Sequence, residues 1–141
     1  MNFPKEADKT PWLNCGIGFD VENCDPQKEQ RILEDLSHIL NVEKVYRPRA
    51  FPNNLCITFC SVRCFYDWEI DTVIKKTISI IDSEIEPIRI LADRYHAKCV
   101  IDVWFESYGS YPVMLIKPET VQKIAAVHGY LDFDIYDCGE E

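Results

Sequence analysis

The chain has 141 residues, 47% hydrophobic and 28% charged, with 15 Lys and Arg against 24 Asp and Glu and a formal net charge of −9. That is one domain, long enough to bury a core without metals or disulfides, and it excludes a second catalytic domain. A net negative chain in which Arg47, Arg49 and Arg63 make no basic stripe excludes nucleic acid as a partner, and the lack of any apolar run near the ~18 residues that span a bilayer excludes a membrane helix.

Residues 1–11 are polar and are expected to be a flexible end; Lys5, Glu6, Asp8 and Lys9 stand where a signal peptide needs an apolar stretch, so a cytoplasmic location is expected. Leu13, Cys15, Ile17 and Phe19 then alternate with Asn14, Gly16 and Gly18, which predicts a strand with one buried face. Asp25-Pro26 supplies a helix start, Asp as N-cap and Pro at the first position. The stripe Ile32, Leu33, Leu36, Ile39, Leu40 carries that helix to about Asn41. Val42 to Tyr46 reads as a short strand and Arg47 to Asn54 as a loop.

Leu55 to Phe65 is rich in β-formers and predicts another strand. Ile70, Val73, Ile74, Ile78, Ile81 and Ile85 stand at helical spacing, which outweighs the small cost of β-branching in a helix. Pro87 predicts a break between Ser83 and Glu86, followed by a second helix through Ile88, Leu91, Ala92 and Tyr95. Cys99 to Glu106 is a strand, Tyr108 to Pro112 a turn, and Val113 to Ile116 a short apolar strand. Pro118 opens the last helix, with Gly129 expected as its left-handed cap. Leu131, Phe133 and Ile135 alternate with Asp132, Asp134 and Tyr136 in the clearest strand of the chain, and residues 137–141 are expected to fray.

The order β-α-β-β-α-α-β-β-α-β makes this an α+β domain. Its expected form is a predominantly antiparallel sheet with the helices packed on one face, ferredoxin-like or an elaboration of it. The second half resembles a known family in its order of elements: Trp68, a helix through Ile74, Ile78 and Ile81 to Glu86-Pro87, a helix through Ile90-Leu91-Ala92, a strand, and a distinctive ending. That ending runs from Tyr111-Pro112 through Lys117-Pro118-Glu119-Thr120, Ile124-Ala125 and His128-Gly129 to Leu131-Asp132-Phe133-Asp134-Ile135-Tyr136. It is similar to the bacterial domain of unknown function 4279 over roughly the last 75 residues, consistent with a single-domain length. The first half departs from the family's pattern, with Pro48 to Asn54 and the cysteine-rich strand replacing a glycine-containing loop. The resemblance implies a small bacterial cytoplasmic α+β domain and brings no catalytic residue, cofactor or substrate.

Seven cysteines without a secretion signal are expected to be mostly reduced thiols. Cys56, Cys60 and Cys64 are spaced by four, which does not match zinc or iron–sulfur ligand spacing and on a regular strand points all three to one buried face. Asp132 and Asp134 share a face of the last strand, and Asp102 joins them if its strand is a neighbour. Three carboxylates suit Mg2+ or Ca2+, but solvent-facing alternation explains them without a metal, and neither metal nor cofactor is expected. His38, His96 and His128 fall near helix C-termini, where the dipole favours a cation, and form no catalytic motif. Gly16-x-Gly18 lacks the third glycine of a dinucleotide fingerprint.

Trp104 faces outward if Cys99, Ile101, Val103 and Phe105 face the core, and it could then form a patch with Tyr108 and Tyr111. The candidate binding residues are therefore Trp104, Tyr108, Tyr111, Asp102, Asp132 and Asp134. The reading that follows is a non-enzymatic domain that docks a basic protein partner through an aromatic, acid-rimmed surface, with an immunity or anti-toxin inhibitor as one form. The alternative is a small-molecule or divalent-metal site, or an enzyme using Asp102, Asp132 or Cys60. Oligomeric state is left open by the sequence.

Overall fold

The computed structural model describes residues 12–65 and 68–138. Among these described residues five strands and four helices follow one another as β1 (Leu13–Val21), α1 (Pro26–Ser37), β2 (Lys44–Tyr46), β3 (Leu55–Cys64), α2 (Ile70–Ile80), a 3-10 turn (Asp82–Glu84), α3 (Ile85–Tyr95), β4 (Lys98–Ser107), α4 (Pro118–Ala126) and β5 (Gly129–Asp137). The strands form one sheet in the order β2-β3-β1-β4-β5. All neighbours are antiparallel except β4 and β5, which α4 joins as a parallel pair. This is the α+β class the sequence predicts, with a mixed and mostly antiparallel sheet; the order does not establish the ferredoxin-like detail.

Alternation decides which face is covered. Leu13, Cys15, Ile17 and Phe19 of β1, Leu55, Ile57 and Phe59 of β3, and Cys99, Ile101, Val103 and Phe105 of β4 are all buried. With Ile70, Val73, Ile74 and Ile78 of α2, Ile88 and Leu91 of α3, and Ile32 and Leu36 of α1 they make one core. The helix starts follow the local chemistry. Asp25 caps α1, its carboxylate accepting the Lys28 N–H at 2.7 Å with Pro26 at the first position. Asp71, buried on α2, accepts the backbone N–H of Lys117 at 2.8 Å and so ties the start of α4 to the core.

Several expectations change. Helix α1 ends at Ser37 with His38 as its cap, four residues early, and Leu40 continues only as a turn with its N–H on the Leu36 carbonyl. Val113 to Ile116 does not become a strand: Val113 alone bridges to Glu69, because Ile70 and Pro118 begin helices on either side of the contact. The left-handed position after α4 is taken by His128 (φ 54°), not Gly129, and His96 (φ 53°) plays the same part after α3. Asp137 belongs to β5, and the Cys138 N–H donates to the Ser107 carbonyl at 2.9 Å, so the expected fraying at 137 and 138 is not seen. The N-terminal expectation for 1–11 and the residues 139–141 lie outside the described residues, as do Tyr66 and Asp67.

The cysteine stripe is broken by a β-bulge. Pairing slips between Ile17 and Gly18, where Ile17 faces Cys60 but Gly18 faces Thr58. The extra residue on β3 reverses the side-chain parity. Cys60 and Cys64 therefore turn to the helix layer, beside the Thr77 carbonyl and the Lys76 ammonium. Cys56 turns to the opposite face, paired with Asp20. Gly18 makes the bulge possible, because a Cβ there would stand 1.8 Å from the Ile57 carbonyl oxygen.

Candidate functional site

The face of the sheet away from the helices carries the other half of each alternation: Gly16, Gly18 and Asp20 of β1, Cys56 and Thr58 of β3, Val100, Asp102 and Trp104 of β4, and Asp132, Asp134 and Tyr136 of β5. These line a cleft of about 600 Å³, with Glu43, Lys44 and Tyr46 closing its far side. Its floor is low because two glycines sit side by side on the central strand. The Trp104 indole edge fits against one of them, with Cζ3 3.6 Å from where a Cβ of Gly16 would stand.

The parallel register of β4 and β5 sets Asp102 beside Asp132 and Trp104 beside Asp134. Asp102, Asp132 and Asp134 each bring a carboxylate oxygen to within 4.8 Å of the others. Asp132 and Asp134 are exposed, while Asp102 is half-buried and its Oδ1 is wholly buried without a hydrogen-bond partner. Burial first, then the hydrogen-bonded Asp134 carboxylate and the charges of Asp132 and Asp20, push the Asp102 carboxyl up to about 7. Burial likewise raises Asp20. One cation already uses the aromatic rim: Lys44 Nζ lies 4.9 Å from the Tyr46 ring centroid.

Of the six candidate binding residues, the structure brings four into this cleft: Asp102, Trp104, Asp132 and Asp134. Trp104 faces away from the core side chains, as its register position requires. Tyr108 and Tyr111 do not join it. Tyr108 lies past the end of β4 and donates its hydroxyl to Glu106 at 2.6 Å, while Tyr111 stacks edge-on against Phe105, 6.1 Å between centroids, on the helix side. The turn expected at Tyr108 to Pro112 is present, with Gly109 in the left-handed region (φ 95°), and Tyr111 lies beyond it. Asp20, Glu43 and Tyr46 are cleft residues that the sequence reading does not single out, and it treats Gly16 and Gly18 only as strand positions and an incomplete dinucleotide fingerprint. The parity of Gly16, Gly18 and Asp20 along β1 was the available signal.

Burial works against nucleophilic character at four of the thiols. All seven are free, and burial pushes Cys60 and Cys56 up to about 11 and Cys15 and Cys99 up to about 12, the direction opposite to an activated cysteine. A second and shallower groove, about 530 Å³, runs between α1 and α3. There Asp35 accepts from the Tyr95 hydroxyl and from Arg94. In the open-face cleft, by contrast, three carboxylates converge. Among the described residues no helix is long and apolar enough to cross a membrane.

A family model, domain of unknown function (DUF4279), matches residues 66–138, just over half of the chain and including α2, α3, β4, α4 and β5. No curated protein and no solved structure matches.

Proposed function

The chain belongs to the DUF4279 family, whose name assigns no chemistry, and from the cleft itself we propose that this protein is a non-enzymatic cytoplasmic binding domain that docks a basic segment of a partner protein. The observation that carries the proposal is the convergence of three carboxylates within 4.8 Å beside the Trp104 and Tyr136 side chains, on a sheet face that no helix covers among the described residues. A lysine or arginine side chain entering there relieves carboxylate repulsion and gains an aromatic surface for its stem and charge. The net charge of −9 draws such a partner in and speeds its capture. A bacterial immunity or anti-toxin inhibitor, covering the basic active site of a toxin, is one concrete form.

Affinity capture of the tagged protein from its native lysate, at low and high salt, tests this reading. One stoichiometric basic protein that is lost as salt rises, and is lost at low salt from an Asp132→Lys, Asp134→Lys variant, is the expected result. A capture without any such protein overturns it. The same trio of oxygens favours a second reading, a divalent-cation site. A melting temperature that Mg2+ or Ca2+ raises in the wild type, but not in an Asp132→Asn, Asp134→Asn variant, would put that reading first.

A further inference from the structure

The two edges of the sheet are built differently. At one edge β2 has three residues and carries Lys44, the short, charged form by which proteins keep edges from pairing. At the other, β5 runs for nine residues in unbroken register with β4, without proline, lysine, arginine or bulge. A parallel strand paired on one side directs the N–H and C=O of alternate residues outward, and among the described residues no segment pairs with the outer side of β5. This edge lacks the proline, lysine and bulge that usually block pairing, and its charges, Asp132, Asp134 and Asp137, are all acidic, so they disfavour an acidic strand and admit a basic one.

We infer that the outer edge of β5 takes up an extended segment of a partner protein as a sixth strand, with basic residues on the open face and apolar residues on the helix side. The inference rests on the proposed docking of a basic protein in the cleft and specifies how that protein is held. Side chains decide the occupant. On the open face the edge presents Asp132 and Asp134 between Tyr130 and Tyr136, all exposed, so a lysine or arginine directly opposite is favoured. On the other face Leu131 and Phe133 are half-buried and Ile135 is 43% exposed, leaving apolar surface that a Val or Ile across the strand would cover. Pairing with a second copy over the whole strand is disfavoured: symmetric antiparallel pairing centred on Phe133 sets Asp132 opposite Asp134, with Asp102 behind them. Backbone hydrogen bonds from the edge would supply affinity, and the acid–aromatic face the choice of sequence.

The probe is the capped peptide Lys-Val-Lys-Val-Lys-Val-Lys, with Glu-Val-Glu-Val-Glu-Val-Glu as control, added to the full-length protein. Binding is read from the Trp104 indole resonance, and strand addition from amide hydrogen exchange along Gly129–Asp137. The expected result is that the basic peptide binds, the acidic one does not, and the alternate outward-facing amides of β5 slow by about tenfold or more at saturation. A basic peptide that shifts Trp104 but leaves those amides unprotected overturns strand addition while the cleft remains the docking site. A basic peptide that binds no better than the acidic one overturns the docking reading, and this inference with it.

Discussion

Replacing Asp102 by Asn tests the electrostatics of the cleft without any partner. In the unfolded chain this carboxyl titrates near its ordinary 3.8, and in the folded protein at about 7. Between those values the folded chain holds a proton that the unfolded chain has shed, so stability from this group falls as pH rises through the window and the whole cost stands above about 7. At about 1.4 kcal/mol per tenfold the displacement corresponds to about 4 kcal/mol. Asp102 is only half-buried, and solvent screening reduces that to roughly 1–2 kcal/mol. Asn is uncharged at every pH and can offer Asp134 the hydrogen bond that the protonated acid offers. Asp102→Asn should therefore leave stability at pH 5 within about 0.5 kcal/mol of wild type. At pH 8 it should raise the melting temperature by roughly 3–6 °C. Thermal and urea denaturation of both proteins at several pH values between 5 and 8 measure the difference. A variant equally or less stable than wild type at pH 8, or a gain that does not grow with pH, would refute the assignment of the buried charge to Asp102.

Gly18→Ala, which drives a Cβ to 1.8 Å from the Ile57 carbonyl, should cost more than about 2 kcal/mol in urea unfolding, whereas Gly16→Ala meets only ordinary contacts and should cost less than about 1 kcal/mol. Asp71→Ala removes the acceptor for the Lys117 N–H and should destabilise by roughly 1–3 kcal/mol. Burial alone would raise the Asp71 carboxyl, but that backbone N–H and the lysines nearby hold it below its ordinary value. Its contribution is present above about pH 4 and is lost as pH falls through the depressed folded value, so the wild-type advantage over Asp71→Ala should shrink in acid denaturation. In thiol labelling of the native protein, exposed Cys138 should react first, while Cys15 and Cys99 should react only as the protein unfolds. Labelling of Cys15 at the rate of Cys138 would contradict the core.

Much of the fold could be read from period alone. Alternation placed β1, β4 and β5, helical spacing placed α2 and α3, and proline and aspartate marked where α1 and α4 begin. It also put Asp132 and Asp134 on one face and Trp104 opposite Ile101 and Val103, because side-chain direction along a regular strand is a local property. Four residues of the cleft, Asp102, Trp104, Asp132 and Asp134, were therefore legible in the sequence. What brings Asp102 alongside Asp132 is the parallel pairing of β4 with β5, and what makes the space above them is the pair of glycines on the central strand. The separation of Cys56 from Cys60 and Cys64 came from one residue inserted at a bulge, and Tyr111, beyond the turn at Gly109, packs on Phe105 at the helix side. Periodicity is set by the backbone of each segment, so the sequence determined each strand's two faces. Which strands adjoin, and where parity slips, depend on contacts between residues dozens of positions apart, and these only the tertiary structure decided.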